Sequence, residues 1–246
     1  MSTTGSTSPH RLPPLTQTAF LLDFDGTLVD IAPTPDAVIV TDELKTTLLN
    51  LRQECGDALA IISGRPISQI DHFLPDIPFA IAGEHGATIR HRPDGPIERV
   101  SLPPFPLSWF NEAEELTGAW KGAHVERKEG GFVLHYRGAP EAGPVLQKVA
   151  QKWIASTPDL FSLQPAKMAW EIRPTGVDKG RAVRKLMETP PFADRIPVFV
   201  GDDVTDEDAI REIIRFKGIA FRIPADFPTP AALRRWLQKT ANGETP

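Results

Sequence analysis

A single cysteine stands in the 246 residues, so no internal disulfide can form, and Cys55 continues the helical spacing of Leu44, Leu48 and Leu51, which points to a core position. No apolar stretch approaches the roughly 20 residues that a membrane-spanning helix needs. A basic surplus is missing too: the formal net charge is −5, which argues against a nucleic-acid binder held by phosphate contacts and against a role on DNA or RNA. Residues 1–18 are rich in Ser, Thr and Pro and lack an apolar core, so they read as a flexible tail and not as a signal peptide. A cytoplasmic location is therefore expected, with no membrane partner. Internal repeats, and low-complexity segments beyond that tail, are also lacking.

What remains is ordinary for a globular chain: 41% hydrophobic and 24% charged residues, enough for a large domain with a smaller one beside it. Short apolar runs at 19–22, 58–62, 79–82 and 196–200 alternate with helical patterns, which predicts an α/β fold. Helices are expected over 42–55, from Pro66 at a first helical position through Ile70 and Phe73, and near 230–240, where the last covers a sheet edge. Thr205 and Asp208 have capping-box spacing ahead of a face made by Ala209, Ile210, Ile213 and Ile214. The segment 103–172 breaks this alternation between two hinge-like boundaries, Leu102-Pro103-Pro104-Phe105-Pro106 and Arg173-Pro174-Thr175-Gly176. Inside it, Ala123–Arg127 and Phe132–Arg137 flank a Lys128-Glu129-Gly130-Gly131 turn and read as a hairpin. A helix near 141–155 then precedes strand candidates at 160–163 and 168–172. The expected division is a tail (1–18), a core domain (19–102 and 173–246) and an inserted α+β unit (103–172).

Two apolar runs end abruptly in acids. Ala19-Phe20-Leu21-Leu22 leads into Asp23-Phe24-Asp25-Gly26-Thr27, and Val198-Phe199-Val200 leads into Gly201-Asp202-Asp203-Val204-Thr205-Asp206-Glu207-Asp208. Carboxyl ends of parallel strands open into a ligand crevice, so acids placed there point to chemistry and not to packing. Carboxylates gathered from separate strands repel one another unless a cation sits among them. Hard oxygen donors with room for water and a phosphate suit Mg²⁺, so a magnesium site shared by both clusters is predicted.

Taken in order, Asp23-Phe24-Asp25-Gly26-Thr27, Ser63-Gly64-Arg65, Asp178-Lys179-Gly180 and Gly201-Asp202-Asp203-Val204-Thr205-Asp206 resemble the signature segments of the haloacid dehalogenase-like phosphohydrolases. The resemblance spans the core from 19 to 240 and implies a Rossmann-like parallel-sheet core with an inserted α+β cap domain. Phosphoryl-transfer chemistry then suggests the roles. Asp23 is the nucleophile candidate, forming an aspartyl-phosphate, and Asp25 is the acid that protonates the departing sugar oxygen and later the base for water. Ser63 can donate to a phosphoryl oxygen, and Lys179 can pair with phosphate and nucleophile together. The metal ligands would be the Asp23 carboxylate, the Asp25 backbone carbonyl and Asp202, with Asp203 and Asp206 holding waters or orienting neighbours. Gly64 and Arg65 are placed with the substrate; Arg65 either reaches phosphate or pairs with a nearby acid.

The insertion narrows the resemblance. Gly83-Glu84-His85-Gly86-Ala87, Val125-Glu126-Arg127-Lys128, Leu134-His135-Tyr136-Arg137 and Lys167-Met168-Ala169-Trp170-Glu171-Ile172-Arg173-Pro174 are similar to segments of the trehalose-6-phosphate phosphatases. By that resemblance Glu126, Lys128, Arg137, Lys167 and Glu171 would contact the disaccharide, and His85 would either touch substrate or orient its own loop. The chain departs from that family's pattern at Thr88, where an acid is common, and at Arg127, where an acid or histidine is common. The implied activity is Mg²⁺-dependent release of phosphate from trehalose 6-phosphate by a monomer, with a trehalose-6-phosphate synthase as functional partner. The alternatives are a phosphatase or mutase acting on another sugar phosphate, or a non-catalytic sugar-phosphate sensor.

Overall fold

The structure is a computed structural model that describes residues 12–32, 34–128 and 130–244. Most of the expected tail, residues 1–11, lies outside the described residues, as does Glu129 of the expected turn. Residues 12–18 do not behave as a tail: Leu12 and Leu15 pack against the core and Thr18 opens a strand with no exposure at all.

The chain divides into two units, one made of Met1–Arg99 with Asp178–Pro246 and the other of Val100–Val177. The first unit begins with β1 (Thr18–Leu22), α1 (Asp42–Glu54), β2 (Leu59–Ile62), α2 (Ile67–Phe73), β3 (Ala80–Gly83), β4 (Thr88–Arg90) and β5 (Ile97–Arg99). The second unit holds α3 (Leu107–Gly118), β6 (His124–Arg127), β7 (Phe132–His135), α4 (Gly143–Ala155), β8 (Phe161–Ala166) and β9 (Ala169–Pro174). The first unit then resumes with α5 (Lys179–Met187), β10 (Ile196–Gly201), α6 (Glu207–Arg215), β11 (Ile219–Arg222) and α7 (Pro230–Ala241). The expected boundary at 172/173 falls inside β9, which runs on through Pro174.

In the first unit the described strands form one sheet in the order β11-β10-β1-β2-β3-β4-β5. The five from β11 to β3 are parallel; β4 runs against them at one edge, and β5 pairs antiparallel with β4. Every residue of β1 and β2 is buried, as expected of central parallel strands covered on both faces and written as continuous apolar runs. The α/β core with an inserted unit is thus observed. Thr41 caps α1 by accepting the Leu44 amide at 3.2 Å, and Leu44, Leu48 and Leu51 face the core with Cys55, which closes the helix without exposure.

Several local expectations shift. Pro66 is the residue before α2 and not its first residue, its extended backbone setting the entry into the helix. The capping box ahead of α6 is Asp203 with Asp206, two residues before the expected Thr205–Asp208 pair, because a short 3₁₀ turn (Val204–Asp206) intervenes. Ile214 lies on the outer side of α6, 64% exposed, while Ala209, Ile210 and Ile213 are buried. α7 places Trp236 against Phe221 of the edge strand β11, ring centres 5.5 Å apart.

The second unit is an antiparallel sheet, β6-β7-β9-β8, with a core of its own. Phe132, Leu134 and Ile172 bury one face against Trp109 of α3 and Leu146 and Trp153 of α4, the two tryptophans stacking at 6.2 Å. Helix α3 has no counterpart in the expected elements. The hairpin of β6 and β7 does, with Lys128 N–H donating to the Gly131 carbonyl across the turn. Arg127 lies over the rings of Phe105 and Phe110, at 5.7 and 5.5 Å, on the apolar side of the sheet.

Candidate active site

Register brings the two acid clusters together. β1 pairs with β10 so that Leu22 stands beside Val200, and the Asp23 amide continues the ladder by donating to the Val200 carbonyl at 3.0 Å. One residue past that pair the first strand carries Asp23, and two residues past it the second carries Asp202. Gly26, at φ +74°, makes the turn that follows; a Cβ there would overlap the Asp202 carboxylate, so only glycine permits both the turn and the approach.

Lys179, first residue of α5, ties the site. Its Nζ donates to Asp23 Oδ1 and to Asp206 Oδ1, each at 2.6 Å, and all three groups are buried. Asp206 uses its other oxygen to accept the backbone N–H groups of Asp202 and Asp203, both at 3.0 Å. With both oxygens engaged, it acts as an orienter of lysine and loop. Thr27 donates to Asp23 Oδ2 at 3.0 Å and lies 3.4 Å from Asp202 Oδ1, linking nucleophile candidate and acid. Asp203 is turned outward as the helix cap, accepting from the Val204 amide at 2.6 Å.

Electrostatics favour a cation here. Burial pushes the Asp23 carboxyl up to about 7; Lys179 opposes this, and the charges of Asp206 and Asp202 reinforce it. Asp202 is also raised, first by burial and then by Asp206 and Asp203. Burial alone would lower Lys179, but Asp23 and Asp206 together hold it well above its usual value, so it stays charged. One ammonium thus serves three carboxylates, whose oxygens lie within 4.8 Å of one another. That donor set of hard oxygens with an unbalanced negative charge fits a divalent ion such as Mg²⁺, with Asp23 and Asp202 as the carboxylates best placed to hold it.

Ser63 follows β2 and is buried; its Oγ accepts the Arg65 amide at 3.1 Å, which leaves its own hydroxyl hydrogen to donate. Arg65 grips Asp25 with a two-pronged fork, Nε to Oδ2 at 2.6 Å and a terminal nitrogen to Oδ1 at 2.7 Å. The guanidinium is steadied by Gln69 at 3.1 Å and by the rings of Phe24 and Phe73, 5.5 and 5.2 Å from its carbon. Of the two possibilities open for Arg65, this is the acid pair. Gly64 lies under the His85 ring, where a Cβ would come within 2.6 Å of Cε1 and Nε2. Glu84 and His85 both adopt left-handed backbone, φ 52° and 55°, held by amides that donate to the carbonyls of Arg65 and Ser63 at 3.0 Å. Two adjacent non-glycine residues in that region store strain, a pattern concentrated at functional loops.

In the second unit, Glu126, Val133, Glu171 and Gln164 form one row across the sheet, on the face opposite the helices. Lys128 pairs with Glu126 Oε1, and His135 Nε2 donates to Oε2 at 2.9 Å. Burial works against the Glu126 carboxylate, but these two hydrogen bonds outweigh it and hold the group below the usual range. Arg137 reaches the Lys167 carbonyl at 3.5 Å. Thr27, Gln69 and His135 received no role from the sequence. Thr27 stood inside the quoted acid segment and could have been found there by its hydroxyl, but Gln69 and His135 are placed only by three-dimensional contacts.

The comparisons with known proteins agree with this geometry. The family model described as Trehalose-phosphatase matches residues 21–231. A probable trehalose-phosphate phosphatase of Sinorhizobium fredii is 37% identical over 215 residues, covering 87% of this chain and 81% of that protein. A crystal structure of Aspergillus fumigatus trehalose-6-phosphate phosphatase superposes with a TM-score of 0.70 at 28% identity, covering 93% of this chain and 94% of the other. A haloacid dehalogenase-like hydrolase from Bacteroides thetaiotaomicron, 12% identical with a TM-score of 0.61, covers 91% of this chain and 99% of its own, and shares the fold. With its nucleophile candidate, lysine and clustered acids assembled on a haloacid dehalogenase-like core, this phosphatase chain belongs to the trehalose-phosphatase family.

Proposed function

We propose that the chain hydrolyses trehalose 6-phosphate to trehalose and phosphate through an aspartyl-phosphate on Asp23. The observation that carries the reading is the Lys179 ammonium clamped between Asp23 and Asp206 beside Asp202, in a member of this family. Held by Lys179 and Thr27, the Asp23 carboxylate has one defined orientation from which to attack phosphorus in line. As the phosphorus–oxygen bond to the sugar breaks, Asp25 gives its proton to the departing oxygen. It then takes a proton from the water that attacks the same phosphorus, and Asp23 is released with free phosphate. Arg65 holds both oxygens of the Asp25 carboxylate in the described geometry, so its fork opens at one oxygen for Asp25 to carry the proton. Ser63 and Lys179 hold phosphoryl oxygens, with Gly64 and His85 shaping the loop beside them. Mg²⁺ bound by Asp23, Asp202 and the Asp25 carbonyl would neutralise charge on the transferred group.

Glu126, Lys128, Arg137, Lys167 and Glu171 are assigned to the sugar hydroxyls. Glu126 and Glu171, two of these residues, share one sheet face, which supports this, since a hydroxyl-rich neutral ligand is selected by several fixed polar groups that an analogue would leave unpaired. Among the described residues no helix is long and apolar enough to cross a membrane, and a cytoplasmic enzyme supplied by a trehalose-6-phosphate synthase is the setting this reading implies. The test is phosphate release from trehalose 6-phosphate, glucose 6-phosphate and sucrose 6-phosphate, with and without Mg²⁺, by the wild type and Asp23→Asn. Selective, Mg²⁺-dependent release that Asp23→Asn abolishes is expected. Activity spread evenly over the three substrates would reject the sugar assignment, and full activity in Asp23→Asn would reject the nucleophile.

A further inference from the structure

The Glu126 carboxylate is held from both sides. Lys128 occupies Oε1, and His135, diagonally across the β6–β7 pair on the same face, occupies Oε2 at 2.9 Å. The His135 ring is itself fixed by the His124 ring directly opposite, with centroids 4.6 Å apart and planes only 14° from parallel. A glutamate has three side-chain torsions to freeze, and a carboxylate on a half-exposed sheet face pays that entropy when a ligand arrives unless neighbours have already fixed it. Lys128 cannot do this alone, because an ammonium on a flexible stem is a point charge with no directional fork. The imidazole supplies the direction.

We infer that His135, steadied by His124, is a positioning residue that fixes Glu126 in the orientation that receives a sugar hydroxyl. The inference rests on the reading of Glu126 as a sugar contact. Since a carboxylate accepts through more than one lone pair per oxygen, the hydrogen bond from His135 leaves acceptor capacity for the ligand. With the ring at only 30% exposure, the bond is directional but partly screened.

The test is a double-mutant cycle on the full chain with trehalose 6-phosphate, using His135→Phe, Glu126→Gln and the pair, with His135→Gln as the conservative variant. His135→Phe is expected to raise KM about five- to tenfold, the scale of a partly screened hydrogen bond to a charged group. The rise should fall on KM more than on kcat, and the amide donor of His135→Gln should recover part of it. In the Glu126→Gln background His135→Phe should add clearly less than it does in the wild type, because its effect passes through the side chain at 126 and the amide that remains there is a weaker acceptor than the carboxylate. KM does not depend on the amount of folded enzyme, so a loss of stability in either variant leaves the comparison intact. An unchanged KM in His135→Phe beside a raised KM in Glu126→Gln would overturn the positioning role. Additive effects would overturn it as well, by making His135 a direct ligand of the sugar. An unchanged KM in Glu126→Gln would instead overturn the sugar-contact reading, and with it the inference.

Discussion

At Asp23 two influences oppose each other: burial favours the neutral acid, and the Lys179 ammonium 2.6 Å away favours the carboxylate. The native group titrates near 7, against a reference of 3.8. Between those values the folded, metal-free protein keeps a proton on Asp23 that the unfolded chain has lost, so this residue's contribution to stability falls as pH rises across the window. A divalent ion held by Asp23, as proposed above, would compete with that same proton. Apparent Mg²⁺ affinity is therefore expected to climb by about tenfold per pH unit up to about 7 and to level off above it. Mg²⁺ titrations of phosphate release from pH 5.5 to 8.5 would check this, and a flat profile would remove Asp23 from the ligand set. The position of Asp23 was readable in the sequence because an apolar run ends on it. Its coupling to Asp206 was not, since the two are joined only through Lys179, from a third segment of the chain.

Elements place these residues, and α5 shows how. Asp178 caps the helix by accepting the Arg181 amide at 2.7 Å, and Arg181 reaches the Gly86 carbonyl at 2.7 Å, so the first turn that carries Lys179 is fixed at both ends. Asp178→Ala is expected to cost about 1 kcal/mol, seen as a fall of about 2–4 °C in melting temperature, and to lower kcat as Lys179 loosens. Calorimetry beside steady-state kinetics would test it; an unchanged kcat with a lowered melting temperature would confine the cap to stability. The motif around Lys179 was visible in the sequence, whereas the helix was not, its nine residues being crowded with lysine and arginine. Helix α3 hid behind the proline-rich stretch before it, and β5 escaped because all of its residues are exposed and show no alternation. The central strands were plain because burial on both faces leaves a mark in the sequence that one-sided or edge elements do not.

For the molecule as a whole, the decisive fact is that its apolar residues form two separate cores, one in each unit. Among the described residues, the carboxylates suited to a cation belong to the first unit alone. Scanning calorimetry is expected to resolve two transitions, of which Mg²⁺ raises one and leaves the other in place. Ligand at about 100 times its dissociation constant stabilises the unit that binds it by about 2.7 kcal/mol. A single transition that moves as a whole would mean that the two cores melt as one. Gly26 carries a different kind of consequence. Because any side chain at that turn would occupy the volume of the Asp202 carboxylate, two positions far apart along the chain share one constraint. Any residue that replaces glycine at position 26 must take a left-handed turn and also push the Asp202 carboxylate out of its place beside Asp23, so a change at one position is felt at the other.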